Sequence, residues 1–222
     1  MQRSITGASR HLIRRHQSRP SRRKKGKEQT VTDDRKFHVH HKEYLDSDER
    51  RKMLNPQAIV ASLPLAADQT VGDVGCGTGF FTEPLARAVP KGRVLAFDVQ
   101  QEMVETTRQR ITKAGLRNVE VRQSAELQLP VDDAVFNGIF AAFILHETPS
   151  QTALAAELHR VAKPGAWLAV LEFHRVAGTG GPPLQIRLTP AETSVLLTGA
   201  GFKEIGKAID LNDRQYMIMA KA

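Results

Sequence analysis

The sequence has a single cysteine in 222 residues, Cys76, so it can form no internal disulfide and no thiolate cluster for a metal, and a reducing compartment is consistent with this. It also lacks any apolar run near the roughly 18 residues that a membrane helix needs. The longest such run, Gly138 to Leu145, has the length of a strand. A continuous apolar segment behind a basic start is missing too, which argues against a secretory signal. Acidic residues are absent from one stretch. Residues 1 to 27 hold ten of the 32 Lys and Arg and no Asp or Glu, which leaves 22 basic against 24 acidic residues in the remainder. The net charge of +8 therefore belongs to the N-terminal segment, and the rest is close to neutral.

That segment, residues 1 to 30, mixes Ser, Pro and Gly with its charges and has little apolar content, so a disordered basic tail is expected there. Several roles suit it: an organelle presequence, a polybasic contact with nucleic acid through residues 1 to 27 (Arg22-Arg23-Lys24-Lys25 at its centre), or weak attachment to an anionic surface. A solvated terminus with no role is the plain alternative. A cytoplasmic location is expected, with a mitochondrial one if residues 1 to 30 are a presequence.

What is present is an alternation of strand-like and helix-like segments. Leu45 to Leu63 has helical character, with Ser47-Asp48-Glu49 placed to cap its start and Pro56 forcing a break. Residues 31 to 64 are thus expected to form a helical prelude, and 65 to 222 the main domain. Gln69 to Val74 is a short β-biased run leading into a glycine cluster and then a helical stretch, Phe81 to Val89. The order repeats with a strand at Arg93 to Asp98 and a helix from Gln101 to Ala114 stopped by Gly115. Further strands are expected at Asn118 to Arg122, Val135 to Leu145 and Ala166 to Phe173, with a helix from Gln151 to Ala162 ended by Lys163-Pro164-Gly165. A helix over Thr189 to Gly199 and strands near Glu204 to Leu211 and Gln215 to Ala220 complete the chain. Such alternation predicts an α/β fold with a mostly parallel sheet covered on both faces, its ligand at the carboxyl ends of the strands. No internal repeat is visible.

The glycine cluster is Asp73-Val74-Gly75-Cys76-Gly77-Thr78-Gly79. Glycines at alternate positions let the backbone turn sharply and approach a ligand. A dinucleotide fingerprint would put its third glycine where Phe80 stands, and Asp73 would meet a pyrophosphate with like charge. A second acid, Asp98, ends the next strand, where a carboxylate can accept both hydroxyls of a ribose.

Asp73 to Gly79 resembles the glycine motif of class I S-adenosyl-L-methionine-dependent methyltransferases. Leu129-Pro130, Glu157 to Pro164 and Ala200-Gly201-Phe202 are similar to the small branch related to the ubiquinone/menaquinone C-methyltransferases. The resemblance covers about Phe37 to Ala222. It implies a Rossmann-like fold with a seven-stranded sheet and S-adenosyl-L-methionine as cofactor. It also implies Asp73 near the methionine ammonium, Gly75, Gly77 and Gly79 beneath the cofactor, and Asp98 on the ribose. The family's adenine-contacting aspartate aligns with Ala125, where only the neighbouring Glu126 is acidic, and its aspartate on the fourth strand is replaced by Asn137. The branch also implies that Phe37 to Leu54 folds over the cofactor, with Phe37 or Tyr44 excluding water.

Methyl transfer from a sulfonium rests mostly on positioning, and a base is needed only if the acceptor carries a proton. Candidates at the ends of the fourth and fifth strands are His146, Glu147, Glu172 and His174, of which His146 and Glu172 are the favoured pair. His38, His40 and His41 have no fourth ligand spaced to join them, so no metal is expected. An arsenite methyltransferase would need several thiols, and the Asn/Asp-Pro-Pro-Tyr/Phe motif of nucleic-acid amino-methyltransferases is replaced by Ala141-Ala142-Phe143-Ile144. A small-molecule acceptor is favoured. A cofactor-binding regulatory or RNA-associated protein with a basic arm is the alternative.

Overall fold

The structure, a computed structural model, describes residues 45–178 and 180–222. Expectations for residues 1 to 44, including the basic tail, the histidines at 38, 40 and 41, and Phe37 and Tyr44, lie outside the described residues.

Two short helices come first. Helix α1 (Asp48–Leu54) is capped by the Ser47 hydroxyl, which accepts from the Arg50 N–H, and α2 (Pro56–Ala61) starts with proline at its first turn. Proline fits there because the first-turn N–H has no intrahelical partner to lose. The break between them falls at Asn55, which is left-handed (φ 31°) and whose side chain accepts from Ala58. Strands β1 (Thr70–Val74), β2 (Arg93–Asp98), β3 (Val119–Gln123), β4 (Phe136–Ala142) and β5 (Ala162–Phe173) then alternate with α3 (Thr82–Ala88), α4 (Gln101–Lys113) and α5 (Gln151–Val161). Helix α6 (Pro190–Gly199) opens with a capping box in which Thr189 and Glu192 satisfy each other's backbone N–H groups. Strands β6 (Ile209–Asp210) and β7 (Gln215–Lys221) close the chain.

The seven strands lie in the order β3-β2-β1-β4-β5-β7-β6, all parallel except that β7 runs antiparallel to both β5 and β6. The order reverses between β1 and β4, and the carboxyl ends of these neighbours diverge to form the crevice in which open α/β sheets bind ligands. Central strands are buried on both faces, which explains their continuous apolar runs. One face packs Leu54, Ile59, Phe81 and Leu85 from the first three helices; the other packs Leu154, Leu158 and Leu197 from α5 and α6.

Three boundaries differ from the sequence reading. Strand β4 ends at Ala142, three residues short of Leu145, because Phe143 leaves the extended conformation with φ 64°. Strand β5 starts at Ala162, four residues early, because Lys163-Pro164-Gly165 forms an irregular lead-in with a register shift against Phe136 and Gly138. Proline is tolerated in a strand at such an irregularity, where the ladder needs no N–H from it. Strand β6 is two residues long, since most of the stretch from Glu204 onward lies outside the ladder and is held by backbone bonds between Lys203 and Lys221 and from Gly206 to Met219. Asn137, which stands where the family has aspartate, accepts from the Thr70 N–H and Lys163 Nζ, a tie across the sheet away from the cavity.

Candidate active site

A cavity of about 440 Å³ opens over the carboxyl ends of β1, β2, β4 and β5, within the range usual for small-molecule sites. Its floor is the glycine loop. Gly75, Gly77 and Gly79 all have positive φ, at 75°, 54° and 80°, but their surroundings differ. A Cβ on Gly75 would lie 2.1 Å from Ile144, and one on Gly79 would press on Thr107 and Arg110 of α4, so these two glycines are required by protein packing. At Gly77 a Cβ would meet only Leu45 Cδ1 at 3.7 Å, and it would occupy the cavity itself. Gly79 does not line the cavity, which departs from the expectation that all three glycines pass beneath a ligand.

Asp98 anchors the loop. One carboxylate oxygen accepts from the Gly77 N–H at 2.9 Å and the other from the Gln100 N–H at 2.9 Å, leaving each oxygen a further lone-pair direction. Burial pushes its pKa up, against the lowering by these backbone donors. Asp73 is 2% exposed and accepts from the Thr82 hydroxyl at 2.5 Å. Burial raises its pKa to about 7, opposed by Thr82 and assisted by the charge of Asp98. A buried acid held that high is suited to a cation beside it, which would restore the ionised form. Thr78 also lines the cavity, but its hydroxyl oxygen is turned into the protein, fully buried and without a hydrogen-bond partner.

The opposite wall carries titratable groups. Glu172, at the end of β5, is fully buried and faces His146, with Nδ1 to Oε2 at 2.7 Å. Its other oxygen accepts from the backbone N–H groups of Leu145 and His146 at 3.0 and 3.3 Å. An ionised carboxylate can only accept, so Nδ1 carries the hydrogen, and Nε2, 3.7 Å from Glu147 Oε1, is the nitrogen on the side away from Glu172. Burial depresses the His146 pKa, but the charge and hydrogen bond of Glu172, with Glu147 adding, outweigh it and the net direction is up. Phe143 follows β4 with φ 64°, an uncommon conformation for a bulky residue; its N–H bonds the Leu171 carbonyl and its ring packs on Phe173, centroids 4.8 Å apart. The ring of His146 meets Phe173 edge-on at 5.8 Å.

A profile of the methyltransferase domain family matches residues 71–165. A solved S-adenosylmethionine-dependent methyltransferase from Aquifex aeolicus superposes with a TM-score of 0.79 at 34% identity, covering 84% of this chain and 99% of that one. The chain belongs to the S-adenosylmethionine-dependent methyltransferases. Among curated relatives of this family, the demethylmenaquinone methyltransferase of Geobacillus stearothermophilus is 37% identical over 101 residues, 45% of this chain and 43% of its own length. The arsenite methyltransferase of Halobacterium salinarum is 29% identical over 156 residues, 70% of this chain and 38% of its own. The chain thus spans less than half the length of the curated relatives it matches.

Of the methyltransferase residues expected from sequence, Asp73, Gly75, Gly77, Asp98, Ala125, Glu126 and His146 all line the cavity, and Glu172 stands directly behind His146. Leu45, Arg50, Met53 and Leu54 line it as well, so the described part of the helical prelude does reach the site. His174 does not line it; its Nε2 pairs with Asp210 at 3.0 Å and its ring packs on Tyr216. Among the described residues no group of three or more ligands could hold a metal ion, and no helix is long and apolar enough to cross a membrane.

Three residues escaped sequence reasoning. Gln215 and Thr78 line the cavity, each with a side-chain oxygen that is buried and unpartnered; Thr78 lies inside the glycine motif without having been singled out there, and Gln215 belongs to no recognisable spacing pattern. Arg187 is buried and donates to the carbonyls of His174, Val176, Gly180 and Pro182, tying down the loop whose Gly181, Pro182 and Pro183 form part of the cavity wall. By its glycines and prolines the sequence marks residues 178 to 183 only as a flexible loop on the side of the sheet where substrate would enter.

Proposed function

We propose that this chain methylates a small, planar, hydroxylated aromatic acceptor, with His146 as general base and Glu172 as the group that orients it. The observation that carries the reading is the buried 2.7 Å contact between His146 Nδ1 and Glu172 Oε2 on the wall of the same cavity as the glycine loop. The residues fit the cofactor: Asp98 has lone pairs free for two ribose hydroxyls, Gly77 leaves open space, and Asp73 suits an ammonium. S-adenosylmethionine, when bound, supplies an electrophilic methyl group and leaves as S-adenosylhomocysteine. Ala125 and Glu126 would flank its adenine.

The chain's own part is to hold the acceptor in line and to take its proton. His146 Nε2 accepts the hydroxyl proton as the acceptor's electron pair forms the new bond to the methyl carbon, and Glu172 stabilises the imidazolium that results. Phe143 and Phe173, their rings tilted 43° to each other, offer an apolar wall for an aromatic ring. The demethylmenaquinone methyltransferases among the relatives act, by name, on a quinone ring system, which supports this acceptor class. Arsenite is disfavoured here, because Cys76 is the sole thiol and its burial pushes its pKa well up, away from the reactive thiolate.

The test is incubation of the full chain with methyl-labelled S-adenosylmethionine, a metabolite extract, and anaerobically reduced hydroxynaphthalenes. Label should enter the small-molecule fraction and depend on His146. Label found only in RNA or protein, or binding of cofactor with no transfer to any fraction, would favour the RNA-associated or regulatory reading instead.

A further inference from the structure

We propose that Arg187 is a positioning residue for methyl transfer: its buried guanidinium pins the loop between β5 and α6 against Phe173 and makes Gly181, Pro182 and Pro183 a fixed wall at the acceptor end of the cavity. The inference rests on the function proposed above for placing the acceptor beside His146.

The loop after Phe173 has little of its own to hold it. Gly178, Gly180 and Gly181 all have positive φ, at 77°, 67° and 84°, and a Cβ added to either of the first two would meet nothing within 4 Å. Arg187 supplies what is missing. It is 3% exposed, and its guanidinium donates from Nε to the Pro182 carbonyl at 2.8 Å, from Nη1 to the carbonyls of His174 and Val176 at 3.0 and 3.2 Å, and from Nη2 to that of Gly180. One side chain thus ties both arms of the loop together. Burying a guanidinium is costly, and its rigid fork of donors offsets that cost only by engaging many carbonyls at once. The clamp is itself anchored: Arg175 donates from Nε to the Arg187 carbonyl at 2.8 Å and pairs with Glu192 of the α6 capping box at 2.8 Å.

Packing shows where the clamp acts. A Cβ on Gly181 would lie 2.9 Å from the Phe173 ring and 3.5 Å from Arg187 Nη2, so the loop backbone sits against both, and the guanidinium carbon is 5.7 Å from the ring centroid. Phe173 ends β5, three strands from β2, and so stands roughly 14 Å across the sheet from the ribose end at Asp98. The wall therefore bounds the end of the cavity that holds Phe143 and His146. In-line transfer is sensitive to displacements of about 1 Å, so a wall that shifts should disturb the acceptor and leave the cofactor alone. The same charge acts on the base. Burial lowers the His146 pKa, Glu172 and Glu147 raise it, and Arg187 lowers it, against the net upward direction.

The experiment uses the full chain saturated with S-adenosylhomocysteine and three variants. Arg187→Lys keeps the charge and loses the fork, Arg187→Met loses both, and Gly181→Ala disturbs the same wall from its exposed side. Calorimetry with anaerobically reduced 1,4-dihydroxynaphthalene should show binding about tenfold weaker in all three, with S-adenosylhomocysteine affinity within twofold of wild type. In 15N relaxation the Gly181 amide should be ordered in the wild type, with an order parameter of about 0.85, and mobile in both Arg187 variants, below about 0.6. The His146 ring, identified in NMR spectra by its absence from His146→Gln, should titrate at higher pH in Arg187→Met and close to wild type in Arg187→Lys, a separation that a purely structural role would not produce. The proposal is overturned if Gly181 stays ordered in both Arg187 variants, if probe and cofactor weaken together in a folded variant, if Gly181→Ala binds the probe as the wild type does, or if His146 titrates alike in the wild type and Arg187→Met. Should neither Arg187 variant fold, Gly181→Ala decides. A wild type that binds S-adenosylhomocysteine but not the probe overturns the acceptor class proposed above, and the wall is then judged by Gly181 order and the His146 titration alone.

Discussion

Replacing Glu172 by glutamine keeps the shape of the side chain and removes one charge, and the hydrogen bonds around it determine how the variant amide must sit. Oε1 accepts from the Leu145 and His146 N–H groups, so the amide oxygen of the variant stays there and its NH2 takes the place of Oε2, 2.7 Å from His146 Nδ1. A donor facing Nδ1 forces that nitrogen to accept, the ring proton moves to Nε2, and the nitrogen left for the acceptor ceases to be a base. The electrostatics act in the same direction. Burial depresses the His146 pKa and, in the wild type, is outweighed chiefly by Glu172; without that carboxylate, burial prevails and the imidazolium loses its counter-charge. General-base catalysis is worth about 10² to 10⁴ in rate. Single-turnover methyl transfer in Glu172→Gln should accordingly fall by about three orders of magnitude, or ~4 kcal/mol of transition-state stabilisation. Rapid-quench assays with labelled cofactor and reduced 1,4-dihydroxynaphthalene, from pH 5.5 to 9, read this directly, with S-adenosylhomocysteine affinity as the control. The wild-type rate should climb with pH as His146 gives up its proton. The sign for stability is opposite. A histidine whose folded pKa is raised stabilises fully below its unfolded value, about 6.5, and the contribution is lost as pH rises through the folded value. The wild type should therefore lose more of its Tm than the variant across that window. A variant within threefold of the wild-type rate, with an unmoved pH profile, would refute a base at His146 held by Glu172.

Asp98→Ala should weaken S-adenosylhomocysteine by at least tenfold in calorimetry, because two hydroxyls lose a charged acceptor worth about 1.5 to 3 kcal/mol per bond, and the Gly77 and Gln100 N–H groups lose their anchor as well; unchanged affinity in a folded variant would mean that the ribose lies elsewhere. With Asp73 held near a pKa of about 7 by burial, binding of the cofactor's ammonium should favour the ionised acid, and affinity should drop toward tenfold per pH unit below that value. A flat affinity profile from pH 5.5 to 8 would remove Asp73 from the ammonium site. Deleting residues 1 to 30 should abolish any salt-sensitive binding of polyanions, since ten of the basic residues go with no acid to offset them, and should leave S-adenosylhomocysteine affinity unchanged. Polyanion binding that survives the deletion would place the basic surface in residues 31 to 222.

The order of strands and helices was legible in the chain because each element carries its own local signal. Arg93 to Asp98 is a run of strand formers that ends at an acid, and the structure forms β2 over those same residues; Ser47, Gly115 and Thr189 mark helix ends by capping chemistry that needs no tertiary partner. The glycine loop was legible for the same reason, since three alternate glycines between a strand and a helix are a statement about backbone conformation. What each glycine is for was decided only by packing. Gly75 is required by Ile144, 69 residues later, and Gly79 by α4, and only at Gly77 would an added Cβ meet no close neighbour. Likewise, His146 and Glu172 could each be named from their places after strands, but the 2.7 Å contact between them exists because β4 and β5 are neighbours in the sheet. Gln215 had no local signal at all. It becomes part of the site because β7 turns back antiparallel beside β5 and sets its first residue opposite Phe173, a pairing across more than forty residues that no spacing pattern announces. Local propensity thus determined the elements and the conformation of the loop, whereas which side chains share one cavity was decided by long-range strand pairing.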